Sequence, residues 1–163
     1  MQFFEYNKSA AANYALKWAD GRNPNYFDFE NFGGDCTNFA SQCIYAGSGV
    51  MNYSYPLGWF YKNSYFRSPS WTSAQFLSNF LLRDEISPGP VAKMSELKDL
   101  QLGDIVQIKT NGIFSHSLVI TKIEEQSLFG IFVCAHTYDA KNRRLSTYNT
   151  KYANFLHIFG VYK

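Results

Sequence analysis

Cysteine is scarce in this chain and odd in number. Cys36, Cys43 and Cys134 cannot all pair with one another, which argues against a disulfide framework and leaves only a Cys43–Cys134 bridge for geometry to decide. Metal-binding spacings are missing too: there is no Cys-x-x-Cys and no His-Glu-x-x-His, so no metal or other cofactor is expected, although one residue separates Cys134 from His136. Charge is thin, at 17% of residues, and nearly balanced, with Lys+Arg 15 against Asp+Glu 13. Without a long basic run or an interleaved stacking motif, nucleic acid is a poor partner. No stretch is apolar for long enough to cross a bilayer, so no integral membrane segment is expected. The start, Met1-Gln2-Phe3-Phe4-Glu5-Tyr6, lacks a basic segment ahead of an apolar run. No export signal is therefore visible, and the site of action stays open because a signal can be removed beforehand.

Aromatic residues, by contrast, abound. They make up 18% of the 163 residues, with Tyr 12 and Phe 15, more than a minimal core needs and suited to a cleft that grips an extended ligand. A chain of this length is expected to form a single domain over residues 1–163. Its first part reads as helices. Asn7 can cap a helix with Ala11, Tyr14, Ala15 and Trp18 on one face, stopped by Gly21 and Asn23-Pro24. A second helix is expected from Cys36, where Cys36, Phe39, Ala40 and Cys43 recur at helical spacing ahead of Gly47 and Gly49. Residues 50–70, with Pro56, Gly58 and Pro69 among tyrosines and serines, read as a long connection. Thr72 with Gln75 then offers a capping box for a third helix that buries Phe76, Leu77, Phe80 and Leu81. After Ser87-Pro88-Gly89-Pro90 the pattern changes to alternation. Strands are expected at 103–109, 115–121, 128–136 and 156–162, the first two joined by Thr110-Asn111-Gly112 as an antiparallel hairpin. This order implies an α+β fold, with N-terminal helices packed on a C-terminal antiparallel sheet.

The chemistry gathers at Gly33-Gly34-Asp35-Cys36. Paired glycines allow backbone conformations closed to other residues, and Asp35 or Thr37 can cap the helix that follows. A thiol at a helix start feels the positive end of the dipole and unpaired amides, which favour the thiolate. The plain alternative is a small buried residue on an amphipathic helix. His116 opens the second strand of the hairpin, and packing the Cys36 helix on that sheet is expected to bring the two together. A cysteine nucleophile needs an imidazole to take its proton and later protonate the leaving amine, and a third polar group to orient that imidazole. His136, at the end of the next strand, and Asp139, just past it, are both candidates for the third position. His157 reads as a hydrogen-bonded structural histidine. The oxyanion is most simply held by the Cys36 amide. Trp59, in the long connection, and Trp71, ahead of the third helix, are expected to line a substrate groove, core packing being their ordinary alternative. Asp35, besides its capping role, joins this substrate-facing set.

The segments Gly33-Gly34-Asp35-Cys36-Thr37-Asn38-Phe39-Ala40-Ser41-Gln42, Ser70-Trp71-Thr72, Gly103-Asp104, His116-Ser117 and His136-Thr137 together resemble the putative amidase domain family, a relative of the CHAP and NlpC cysteine peptidases. The resemblance runs from about Tyr6 to beyond Asp139. It implies a papain-like fold of NlpC/CHAP type, with Cys36 as nucleophile and His116 as its base. CHAP relatives carry an acidic or amide residue on the next strand and NlpC relatives a histidine, which favours His136 over Asp139. The resemblance also implies amide hydrolysis through a thioester. Its substrate would be a peptide or peptidoglycan stem, and its location extracytoplasmic or in the envelope if the wall is the target. Two other readings stay open: an acyltransferase of the same fold, which passes the thioester to an amine or lipid, and a non-catalytic peptidoglycan-binding module in which Cys36 is inert.

Overall fold

The structure is a computed structural model that describes residues 1–163. Helices α1 (Lys8–Trp18), α2 (Cys36–Ser48), the short α3 (Pro69–Thr72) and α4 (Ala74–Leu81) come from the first half of the chain. The strands are β1 (Phe3–Phe4), β2 (Gly89–Met94), β3 (Ile105–Thr110), β4 (Ile113–Ile123), β5 (Ile131–Ala135), β6 (Ala140–Arg144) and β7 (Asn154–Tyr162). They form one antiparallel sheet in the order β1-β7-β3-β4-β5-β6, with β2 also paired to β7. The arrangement is α+β. No helix is long and apolar enough to cross a membrane.

Local chemistry accounts for the ends of the first two helices. Asn7 Oδ1 accepts from Ala10 N at 2.9 Å, capping α1, and Gly49, left-handed at φ 67, closes α2 by donating to Tyr45 O. The capping box at Thr72 does not form, because Thr72 ends α3 and Ser73 intervenes before α4. Three strands escaped the sequence pattern. Strand β2 starts at Gly89-Pro90, a stretch that reads as a break; it pairs only with β7, so the N–H that proline lacks is not missed. The edge strand β6 is polar and mostly exposed, as suits a strand with a free side, and β1 is two residues recruited by the end of β7.

Both faces of the sheet are covered. On one, Ala11, Ala15, Phe39, Ala40, Cys43, Ile44, Leu77 and Leu81 from the helices pack on Ile105, Val119, Leu156 and Ile158. On the other, Val106, Ile108, Leu118, Ile120 and Val133 lie with Leu100 and Leu145. Strand β4 therefore alternates between two interiors, Val119 facing α2 and Leu118 and Ile120 facing away. Helix α2 is the central element, buried at every residue from Cys36 to Ile44. Burial of its larger apolar side chains, Phe39 and Ile44, contributes about 1.5–3 kcal/mol each.

Candidate active site

The approach to α2 is set by backbone geometry. Gly33 and Gly34 take φ values of 100° and 105°, closed to residues with a Cβ, and turn the chain inward. Beneath them Thr137, itself left-handed at φ 58°, offers Oγ1 to the Asp35 amide at 2.7 Å. A β-branched residue in that conformation is strained, and the half-buried hydrogen bond offsets the cost. A Cβ on Gly34 would stand 3.3 Å from Thr137 Oγ1, so the fit between these two turns is tight.

Cys36 follows, 7% exposed, with Sγ donating to Ser115 O at 3.7 Å and lying 3.8 Å from Thr37 Oγ1. Thr37 Oγ1 in turn lies 3.0 Å from Ser117 Oγ, so the start of α2 is stitched to β4 on both sides of His116. The thiol is not a ready thiolate. Burial pushes its pKa up, opposed by the Ser117 amide and the hydroxyl and amide of Thr37, while Asp35 adds to the rise. This corrects the expectation that the helix start alone favours the thiolate: desolvation of the charge outweighs the dipole and amides.

The thiol meets the backbone of β4 but not the imidazole, since no hydrogen bond joins Cys36 to His116. His116 pairs across the sheet with Ile108, and Ile108 and Leu118 both belong to the interior away from α2. Its ring accordingly lies toward Tyr148, with centroids 6.0 Å apart. Burial, with Arg143 nearby, lowers the His116 pKa to about 4, so the imidazole is neutral at pH 7. The thiol and the imidazole are thus both uncharged at pH 7, the thiol against the backbone of β4 and the imidazole turned toward Tyr148.

His136 does not orient His116. Its Nδ1 lies 2.6 Å from Asp35 Oδ2 and its Nε2 2.8 Å from Trp18 O, both of them acceptors, and its ring stacks on Phe39 at 3.9 Å. Both ring nitrogens are thus engaged beneath α2. Asp139 is committed as well, through a two-pronged pair with Arg22 at 3.0 Å to each oxygen. Asp35 neither caps α2 nor faces substrate. It is 1% exposed, and besides His136 it accepts from Phe29 N at 2.9 Å and Asn38 Nδ2 at 2.8 Å.

The two tryptophans are core. Trp59 and Trp71 are both 0% exposed and lie 4.9 Å apart, so neither lines a groove. Each serves α2: Trp59 Nε1 donates to Ser41 Oγ at 3.0 Å and Trp71 Nε1 to Asn38 Oδ1 at 2.9 Å. The polar residues of the Cys36 motif are thereby explained as partners of buried donors. The three cysteines are free, and Cys134 Sγ turns to Thr121 Oγ1 at 3.6 Å rather than to Cys43. His157 is structural as expected, held 2.9 Å from Asp104 Oδ2.

Sequence reasoning missed Arg22, whose guanidinium gathers Asp28 at 3.3 Å, Glu30 at 3.0 Å and Asp35 at 3.8 Å besides Asp139. Burial opposes its charge, but Asp139, then Asp28 and Asp35, outweigh it and its pKa rises. It also missed Trp18 O, Ser117 and Tyr148. A lone loop arginine or a main-chain carbonyl carries no sequence signal, whereas Ser117 stood beside His116 in view. A cavity of about 820 Å³ lined by Lys93, Lys98, Gln101, Gln126 and His157 contains none of the candidate catalytic residues.

A helix-start cysteine pinned against a histidine-bearing strand in an α+β frame sets a thiol and an imidazole on adjoining elements. The profile of the putative amidase domain matches residues 5–159, and the chain belongs to that family. The description of that family points to amide hydrolysis as its chemistry. Among curated relatives, an uncharacterized protein of Bacillus subtilis (strain 168), YhbB, is 32% identical over 167 residues, covering 95% of this chain. The chain spans about half the length of that relative, 51%. No solved structure matches.

Proposed function

We propose that the chain is a cysteine amidase of papain-like, NlpC/CHAP-related fold that cleaves an amide in peptides, with bacterial wall stem peptides as the substrate class. The observation that carries this reading is the 3.7 Å contact of Cys36 Sγ with the carbonyl of Ser115, the residue before a histidine whose ring nitrogens have no partner. Of the three histidines, His136 and His157 are held by Asp35 and Asp104, which leaves His116 free to act as base.

In the reaction, His116 turns over the edge of β4 and takes the Sγ proton as sulfur attacks the carbonyl carbon. Resting hydrogen bonds between such partners are often long or absent and tighten only with substrate. The tetrahedral oxyanion is received by amides at the start of α2, which have no acceptor within the helix. The C–N bond breaks as His116 returns its proton to the leaving amine, and a thioester remains on Cys36. Water, deprotonated by His116, then attacks the thioester; the C–S bond breaks, the proton returns to sulfur and the acid leaves.

Mass spectrometry of digests of purified peptidoglycan and of synthetic peptides, comparing wild type with Cys36→Ala, tests the reading. New amine and carboxyl termini made only by the wild type are expected. Cleavage retained in Cys36→Ala overturns the mechanism, cleavage of other amides but not wall peptides overturns the substrate class, and products carrying an added amine instead of a free acid identify an acyltransferase.

A further inference from the structure

The proposed base lacks an orienting partner, since His136 and Asp139 are committed elsewhere and no residue of the chain hydrogen-bonds the His116 ring. Beside that ring lies a second unpaired group. The Tyr148 hydroxyl is buried with no hydrogen-bond partner, and the Tyr148 and His116 rings are 6.0 Å apart, inclined at 38°. Buried hydroxyls are rarely left unpaired, and an orphaned one next to an orphaned imidazole calls for an explanation.

We propose that the Tyr148 hydroxyl is the positioning group of the site, accepting a hydrogen bond from the His116 ring when its other nitrogen faces Cys36. This rests on the cysteine-amidase reading. The proposal requires the imidazole to rotate until one nitrogen meets the phenol oxygen, a movement compatible with the 6.0 Å between the ring centroids. Tyr148 itself is pinned. Its amide donates to Leu145 O at 3.1 Å, at the end of the 3-10 turn Leu145–Thr147, and Leu145 is fully buried. The Arg143 guanidinium lies over the Tyr148 ring, 4.4 Å from its centroid, and its Nε donates to Thr147 Oγ1 at 2.7 Å.

The chemistry favours a hydroxyl at this position. A thiol that donates to one imidazole nitrogen requires the proton on the other, and a neutral acceptor there selects that tautomer. A carboxylate would do the same while stabilising the imidazolium, and Asp139 is turned away to Arg22. With Arg143 as the charged neighbour, a phenol fixes the tautomer and leaves His116 a neutral base.

The test uses histidine-15N NMR, which reads the His116 tautomer directly, together with alkylation of Cys36 by iodoacetamide at pH 7. In the wild type a single dominant tautomer is expected; an even mixture overturns the proposal with no variant required. In Tyr148→Phe, which removes one oxygen that is unpaired at rest, the tautomers should mix and Cys36 alkylation slow by roughly tenfold. On a cleaved peptide kcat should fall by a similar factor with KM within about twofold, as for an interaction made in the transition state. An unchanged tautomer and alkylation rate in Tyr148→Phe refute the role. His116→Ala separates the two claims: if it slows alkylation while Tyr148→Phe does not, only the tyrosine is wrong, and if neither does, the cysteine–histidine reading falls with it.

Discussion

Burial opposes charge on both members of the proposed pair, raising the thiol of Cys36 and lowering His116 to about 4. If His116 must be neutral to accept a proton, the acidic limb of kcat/KM should lie near pH 4 rather than near the ordinary imidazole value of about 6.5. A limb near 6.5 would mean that substrate binding reopens the site to water. Stability follows the same shift. Unfolded His116 takes up a proton as pH falls through about 6.5 whereas folded His116 resists until about 4, so its contribution is present above the first value and lost towards the second. Urea titrations at pH 7 and 4.5 should show the wild type losing up to about 2–3 kcal/mol more than His116→Asn, whose side chain does not titrate. Equal losses would exclude His116 as the titrating group. The helix that starts at Cys36 was legible in the sequence because a glycine pair before a cysteine-led helix is a local pattern. His136 stood out in the sequence but its partners did not, because Asp35 and Trp18 O lie about a hundred residues earlier in the chain.

The turn from Gly33 to Cys36 and the turn from His136 to Tyr138 act as one unit, joined by the Asp35 amide on Thr137 Oγ1. Gly34→Ala puts a Cβ where φ is 105° and Thr137 Oγ1 is 3.3 Å away, so about 1–3 kcal/mol of stability should be lost. Iodoacetamide should also reach Cys36 at a changed rate, because the start of α2 shifts; a variant with wild-type stability and labelling would show the turn to be loose. The long connection 50–70 reads as a functional loop in sequence and serves instead to carry Trp59 into the core beside Trp71. Trp71→Ala should therefore cost about 3–5 kcal/mol, measured by denaturation, with KM unchanged in any molecules that remain folded. A raised KM at near-normal stability would return the tryptophan to the groove. Loop composition looks the same for both uses, and only the partners Asn38 and Ser41 on α2 distinguish them.

Across the whole molecule, the strand that carries His116 is held in the middle of the sheet, and the last strand, β7, locks the other side. Asp104, just before β3, reaches across to β7: it accepts from Ile158 N at 3.0 Å and from Gln101 N at 2.7 Å, and holds His157. Burial raises its pKa, with His157 and these amides pulling the other way. Asp104→Ala strands buried donors on both elements and should cost about 2–4 kcal/mol in urea denaturation. In folded molecules at low temperature Cys36 alkylation should match the wild type, because the Asp104 carboxylate bonds only Gln101, His157 and Ile158, and its one link to β4, the carbonyl that accepts from Ile120 N at 2.9 Å, is main chain and survives the substitution. Slower alkylation would tie the sheet's closure to the site. The Gly103-Asp104 pair stood out in the sequence, but its use could not be read there, since its partners lie more than fifty residues on in β7.

Sequence alone determined what depends on near neighbours: α1 with its Asn7 cap, the glycine-led entry into α2, the β3–β4 hairpin, the strand β7 and the order of helices before sheet. These follow from spacing, turn residues and capping, which act over a few residues. Tertiary structure decided the rest. It paired His136 with Asp35 and Asp139 with Arg22, buried both tryptophans, and turned His116 to the face it shares with Tyr148. It also recruited β1, β2 and β6, whose sequences show no alternation, because the edges of an existing sheet supply hydrogen-bond partners that no local pattern encodes. The physical reason is common to all of these: a side chain's partner is chosen by packing across the fold, after burial has made every unpaired polar group costly.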